Sequence, residues 1–410
     1  MKAATTFGLS AGEISKSLHK IASDETDLDT FADIAWCVLS EPGDGMAGLL
    51  IEKFGPSAAL QLVIDRRNAD QVKLKALSLG SAEDELEVFG SFEQQYQNAL
   101  ERWLPRLSQK KVIEVTRIMR SLGGAVVTKR DPEWPGQLDD LSFSQPKLLW
   151  ILGNRAKLNS SSKSVAIVGS RASTSYGEFV VSELVTAAHQ IEHAVISGGA
   201  YGIDAAAHRN SLSLGAPTLS VLAGGLDVLY PRGNLDLLKR VQGEGALISE
   251  VAPGVAPTKW RFLQRNRIIA ALAKATVIVE AGTKSGARNT ANHAIELQRS
   301  LGAIPGSITQ PSSAGCNELI KSGFAKLIQN GSDLKELLGH QLDLPLFEMT
   351  SLSPNEVRAL DAIGFHSSTF LEIQRNSGLA SFELSSALGA LELQGHIARV
   401  HAAWRRIRTN

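Results

Sequence analysis

The sequence predicts an α/β architecture: an extended Rossmann-like domain with a mainly parallel sheet, flanked by a small helical N-terminal domain and a C-terminal winged-helix-like domain. Three observations predict it. Between residues 164 and about 328, short continuous apolar runs alternate with helical stretches, the pattern of strands covered on both faces. Glycine-rich segments follow several of those runs, where parallel strands hand over to helices. On either side of this region the apolar period is mainly helical. A length of 410 residues accommodates two or three domains. At 43% hydrophobic and 20% charged, the composition excludes wholesale disorder and fibrous repeats.

Residues 1–30 read as a mobile polar leader, with Asp24, Glu25, Asp27 and Asp29 close together. Residues 31–106 read as the helical domain. Ile34, Ala35, Val38 and Leu39 recur at helical spacing, and turn signals stand at 41–45 and at Phe54-Gly55-Pro56. The Rossmann-like domain is assigned to 107–335. It opens irregularly around Trp134 and Trp150, with a strand at 148–152. Further strands are predicted at 165–168, 194–196, 218–222, 246–248 and 276–279, and a short last one at 303–304. Ser175 and Glu178 predict a capping box at the first helix, whose buried stripe is Val180, Leu184, Ala188 and Ile191. A linker at 336–350 leads to the winged-helix-like unit at 351–410. Ser353, Pro354 and Glu356 start its first helix, 369–375 and 381–393 form two more, and a hairpin without a glycine turn spans 397–407.

Lys+Arg and Asp+Glu are both 42, so no net field draws the whole molecule to nucleic acid or to an anionic membrane, and any basic site is local. Cys37 and Cys316 are far apart and match no metal-ligand spacing. Together with a polar N-terminus, they predict a reducing cytoplasmic setting. The strongest apolar stretch, 268–281, is shorter than the ~20 residues of a membrane span. No metal, cofactor or membrane is expected.

In a parallel sheet, ligands bind at the loops leaving the carboxyl ends of the strands. The first such loop contains Gly169, Ser170 and Arg171 before a helix start, where backbone N–H groups and a guanidinium can hold a phosphate; a plain turn with a solvated arginine is the competing reading. In the second, Gly198 and Gly199 allow close backbone approach, but the spacing is not G-x-G-x-x-G. The next strand also ends without the carboxylate that a dinucleotide enzyme places on ribose, which disfavours NAD. Asp204 and His208, four residues apart, are either an acid/base pair or structural, the structural reading being the commoner. The third loop carries Tyr230, a stacking platform or a packed ring, and Arg232. Residues 255–274 hold Lys259, Arg261, Arg265, Arg267 and Lys274 without an acid, interleaved with Trp260 and Phe262. Cations for phosphates and rings for bases suit a single strand of nucleic acid, while a solvated helix face is the alternative. A fifth loop, 280–288, repeats the glycine and basic theme. No Ser/His/Asp or Cys/His set is visible at predictable spacing.

Taken together, IVGSR at 167–171, SGGAYGIDAAAH at 197–208, GGLD at 224–227, Tyr230-Pro231, Ser249-Glu250, Pro253-Gly254, RNRII at 265–269, VEA at 279–281, Ser285-Gly286 and Pro305-Gly306 resemble the DNA processing protein A family, also called DprA or Smf. The resemblance covers about residues 120–330. The helical N-terminal domain looks like that family's sterile-alpha-motif or helix-hairpin-helix-like extension, and the C-terminal unit is similar to its winged helix. The resemblance implies binding of single-stranded DNA, help in loading the RecA recombinase during natural transformation or repair, a homodimer built partly through 315–320, and no catalytic turnover. Family DNA contacts carry over to Arg171 with Gly169 and Ser170, to Arg232, and to Arg265, Asn266 and Arg267. Gln264 stands where the family often has proline before the Arg-Asn-Arg motif. The competing class is a nucleotide phosphoribohydrolase, but its Pro-Gly-Gly-x-Gly-Thr-x-x-Glu arrangement is absent from 279–290. A duplex-reading regulator is a third reading, opposed by the lack of Lys or Arg in 381–393.

Overall fold

Polar residues ahead of short apolar stretches set the helix starts in the N-terminal third. Ser10, Asp27, Asp44, Asn68, Ser91 and Ser108 each accept a hydrogen bond from the first turn that follows. The helices are α1 (Ala11–Leu18), α2 (Leu28–Leu39), α3 (Gly45–Phe54), α4 (Pro56–Ile64), α5 (Ala69–Ser78), α6 (Glu83–Leu86), α7 (Phe92–Trp103) and α8 (Gln109–Ser121). They belong to a computed structural model that describes residues 7–340, 352–364 and 366–407.

The mobile leader expected over 1–30 is not what the described part of it forms. It contains α1, whose Ile14 and Leu18 are fully buried. Its acids are not simply solvated: Asp27 caps α2 and pairs with Arg130 at 3.0 Å, and Glu25 accepts from the Lys20 N–H at 2.8 Å. The charges that made the segment look solvent-directed are anchors.

From Ala125 the apolar period shortens and strands appear: β1 (Ala125–Val127), β2 (Leu149–Gly153) and β3 (Ser164–Val168). The chain then alternates through α9 (Ser175–Gln190), β4 (Ala194–Ser197), α10 (Ile203–Ser213), β5 (Thr218–Leu222), α11 (Leu235–Glu244) and β6 (Ala246–Ser249). It continues with α12 (Lys259–Leu272), β7 (Ala275–Ile278), α13 (Gly286–Glu296), β8 (Ser300–Ala303), α14 (Ala314–Lys321), β9 (Lys326–Leu327) and α15 (Gly331–Leu337). The sheet order is β1-β2-β6-β5-β4-β3-β7-β8-β9. All pairings from β6 to β9 are parallel, whereas β2 runs antiparallel to β6 and β1 to β2. The expected strands are present; the last begins at Ser300 rather than at 303.

Central β3 decides where a ligand can sit. The chain winds from it through β4, β5 and β6, then returns along α12 to β7 on its other side. The winding reverses between β3 and β7, the kind of place beside which open α/β sheets bind ligands. Apolar side chains of α9, α10 and α15 cover one face of the sheet and those of α12 and α13 the other. The N-terminal helices share an apolar cluster with Trp150, Leu222, Leu238 and Leu247, so they pack directly on the sheet's β2–β6 end.

One helix start differs from expectation. The cap of α9 is Thr174, whose hydroxyl accepts from Gly177 N–H at 3.2 Å, while Glu178 accepts from the Ser173 hydroxyl at 2.8 Å. Ser175 is the first helical residue, and the extended backbone a cap needs falls one residue earlier.

The described residues from 352 to 407 form a second compact unit. Its described elements are α16 (Pro354–Ala362), β10 (Ser368–Thr369), α17 (Phe370–Ser377), α18 (Ser381–Leu393), β11 (Ile397–Val400) and β12 (Ala403–Arg406). Its sheet order is β10-β12-β11, around a core of Leu360, Ile363, Ile373, Leu384, Leu388 and Ile397. The hairpin closes without glycine because His401 takes the left-handed conformation, at φ 56°. This is a winged helix. The expected linker begins inside α15, with Leu337 and Leu338 buried, and its residues 341–350 lie outside the described ones. No single helix among the described residues is long and apolar enough to cross a membrane.

Candidate nucleic-acid interface

The loop after β3 shows how the site is built. Ser170 closes its turn locally, donating to Ala172 C=O at 3.0 Å, and its carbonyl accepts from Ile203 N–H at 3.1 Å. That second contact requires Gly202, which stands at φ +70° and whose Cβ, if it had one, would lie 2.2 Å from the Ser170 oxygen. Gly169 lies against Ile203, where a Cβ would come within 2.7 Å of the side chain. The tight packing beneath turns Arg171 outward and leaves it exposed.

The Thr174 donors at the cap of α9 are already occupied. Glu280, buried just beyond β7, accepts from the Thr174 N–H at 3.0 Å and from its hydroxyl at 2.6 Å. A carboxylate therefore sits at the helix cap, and it ties the loops after β3 and β7 together.

Arg171 does not stand alone. Its guanidinium lies 5.0 Å from the centroid of the Phe262 ring, and the Tyr230 ring lies 5.8 Å from the same ring, tilted by 58°. Tyr230, in a cis bond to Pro231, is half exposed, and Arg232 beside it is exposed. Tyr201 joins the row from the β4 loop, its hydroxyl accepting from Gly233 N–H at 3.3 Å. Lys259, one turn before Phe262 on α12, is exposed as well. None of Arg171, Arg232 and Lys259 has an ion-pair partner among the described residues.

The other expected contacts lie beneath this surface. Arg265 is only 7% exposed and donates to Gly198 C=O at 2.7 Å and to Val221 C=O, bracketing the carboxyl ends of β4 and β5. Burial pushes its pKa down to about 10, still far above neutrality. Gly198 is buried under it: a Cβ there would meet the Arg265 guanidinium at 2.1 Å. Gly199 is buried too, and Asn234 donates to its carbonyl at 3.0 Å. Asn266 donates to Gly286 C=O at 3.3 Å and to the Asn289 side chain at 3.1 Å. Arg267 is buried against Glu250 at 2.5 and 2.6 Å. Arg261 is partly committed, bidentate on Glu41.

Asp204 and His208 do not pair. Asp204 accepts from the Gly198 and Ala200 N–H groups, and burial raises its pKa. His208 is fully buried on the Thr218 hydroxyl at 2.8 Å, and burial pushes its pKa down to about 3. Asp204 holds the loop after β4 in place, and His208 ties α10 to β5. Among the described residues, no cluster of His, Cys, Asp or Glu has metal-site geometry.

The surface that remains is a row of cations and aromatic faces, Arg171–Phe262–Tyr230–Arg232–Tyr201 with Lys259 alongside. Cations match phosphates and ring faces match unpaired bases. Phe262 was expected among the stacking rings of the basic stretch, whereas Tyr201 was not singled out by the sequence.

Comparison with known proteins identifies the family. The family model described as "DNA recombination-mediator protein A" matches residues 125–339, and "DprA winged helix domain" matches 349–402. The chain belongs to the DprA/Smf family. Among relatives, the putative DNA processing protein DprA of Mycobacterium tuberculosis is 40% identical over 304 residues, covering 70% of this chain and 78% of that one. The DNA processing protein DprA of Streptococcus pneumoniae is 39% identical over 204 residues, 50% of this chain and 71% of that one. The X-ray structure of the Streptococcus pneumoniae DprA superposes with a TM-score of 0.54 at 28% identity, covering 72% of this chain and 94% of that chain. The family's Rossmann and winged-helix elements are thus both present here.

Proposed function

We propose that this DprA/Smf chain binds single-stranded DNA along the Arg171–Phe262–Tyr230–Arg232 row and acts as a recombination mediator that protects the strand and helps load RecA. The observation that carries the binding part is the Phe262 ring, flanked by the Arg171 guanidinium at 5.0 Å and the Tyr230 ring at 5.8 Å. A base stacking there brings its own phosphate to the arginine. The family's description as a DNA recombination mediator supports the RecA part.

The reading is of a binder rather than an enzyme. Asp204, His208 and Glu280, the acid/base candidates in the loops, are all buried in internal hydrogen bonds. The phosphoribohydrolase alternative gains no support from them. A homodimer is part of the proposal. Gly315, Cys316 and Leu319 of the expected interface are buried within the monomer, but Ile308, Phe324 and Leu327 nearby in sequence are exposed apolar groups that a second copy can cover. A cytoplasmic setting fits the two free thiols Cys37 and Cys316.

A titration with single- and double-stranded oligonucleotides at two salt concentrations tests the central claim. Saturable, salt-dependent binding to the single strand is expected; saturable binding to duplex alone overturns it. Light scattering at micromolar concentration tests the dimer, and a strict monomer counts against it.

A further inference from the structure

A second feature lies on the other side of α12. A cleft of about 820 Å³ opens between α12, α13 and the N-terminal helical layer, a volume in the range of ligand sites. Trp260, Gln264 and Arg267 reach it from α12, Phe89 and Gln95 from the helical layer, and Leu141 from the irregular segment before β2.

Three of its four carboxylates face guanidinium groups. Asp44 meets Arg102 at 3.2 Å, Asp140 meets Arg299 at 2.6 Å, and Glu41 is held by Arg106 and Arg261, while Glu296 lies 3.1 Å from the His293 ring. A cleft whose guanidinium groups are committed to carboxylates does not favour a phosphate. It keeps polar groups free for a neutral ligand: the side-chain amides of Gln95 and Gln264 have no hydrogen-bond partner among the described residues, though both are half-buried. Arg267 is 4% exposed, and its Nε and Nη1 are also unpartnered, while only Nη2 serves Glu250. Trp260 is 56% exposed over the opening, a stacking face that no core contact explains. Uncharged donors and acceptors beside an aromatic face are what a nucleobase edge and ring require.

The cleft is also continuous with the row described above. Around the N-terminal turn of α12, Phe262 faces that row, Trp260 faces the cleft, and exposed Lys259 lies between them. A strand stacked on Phe262 can cross the helix with a phosphate on Lys259 and arrive at Trp260.

We propose that this cleft is a nucleobase site, in which a base of the bound single strand stacks on Trp260 and is hydrogen-bonded by Gln264 from α12 and Gln95 from the helical layer. The inference rests on the single-strand reading and adds to it a role for the N-terminal helices: they form the far wall of a base pocket.

The test uses the full chain, an oligothymidylate and an abasic deoxyribose-phosphate oligomer of the same length, which has the phosphates without the bases. Trp260→Ala should weaken binding of the oligothymidylate roughly 5- to 100-fold, and Gln95→Ala roughly 2- to 10-fold. Neither should change binding of the abasic oligomer. Arg171→Ala should weaken both oligomers alike. If only Trp260→Ala acts, Trp260 is an open surface platform and the cleft is not a base site. If Trp260→Ala and Gln95→Ala weaken both oligomers equally, or neither, while the wild type binds and the variants keep the wild-type circular dichroism, the inference is overturned and the single-strand reading stands. A wild type that binds neither oligomer overturns that reading and takes this inference with it.

Discussion

Arg265→Met separates a buried bracket from a phosphate contact, two roles that a basic motif leaves indistinguishable. The guanidinium donates to Gly198 C=O and Val221 C=O, joining the ends of two neighbouring strands, and its charge faces the buried Asp204. Each charged hydrogen bond contributes about 1.5–3 kcal/mol, and removing one partner of a buried charge pair costs about 3–5 kcal/mol. These overlap rather than add, so a loss of roughly 3–5 kcal/mol is expected, a large part of the 5–15 kcal/mol typical of a folded domain. Urea unfolding followed by tryptophan fluorescence should show a midpoint lowered by on the order of 1 M or more. Single-strand titrations across a salt series should show weaker binding, because the Gly198 and Ala223 loops lose their tie, but the same slope of log affinity against log salt, because no phosphate contact is gone. An unchanged urea midpoint with a slope shallower by about one ion would refute this reasoning and put the Arg265 guanidinium on the DNA.

Arg171→Ala should behave in the opposite way, leaving the urea midpoint unchanged, weakening single-strand binding roughly 10- to 100-fold and making the salt slope shallower by about 0.9; Arg171→Lys should recover part of the affinity, since an ammonium keeps the charge but not the fork. Gly202→Ala places a Cβ 2.2 Å from the Ser170 carbonyl at φ +70° and should destabilise by about 1 kcal/mol or more and weaken DNA binding. Gly136→Ala, with nothing within 4 Å, is the neutral control in the same urea series. His208 has its pKa lowered to about 3 in the fold against an ordinary 6.5, so the unfolded chain binds the extra proton. Its contribution is therefore complete above pH 6.5 and is lost as pH falls toward 3. Urea midpoints at pH 6.5 and 4.5 should differ by the equivalent of roughly 2–3 kcal/mol, and His208→Gln should shrink that difference; an equal difference in both proteins would show that other groups set the acid limb.

Much of the architecture was legible because its signals are local. A strand buried on both faces needs a continuous apolar run, so β3, β4, β5, β6 and β7 announce themselves in five short segments. The cap at Ser353 was readable for the same reason: a capping box is a contact between residues three apart. The leader misled because the acids in 24–29 are matched by Arg130 and by backbone donors, partners that sequence distance conceals.

The sequence by itself determined which residue types gather at the carboxyl ends of the strands: glycines, arginines and aromatics, with a strong family signature in their order. Only the tertiary structure decided which of them face solvent. Lys259, Phe262, Arg265 and Arg267 sit within nine residues of α12, and at 100° per residue they point in different directions. The packing of that helix on the sheet sends Arg265 inward under Gly198 and Arg267 to Glu250, and turns Phe262 toward Arg171. Charge is a property of a residue, but exposure is a property of the rotation and burial of its helix, which depend on contacts with strands tens of residues away.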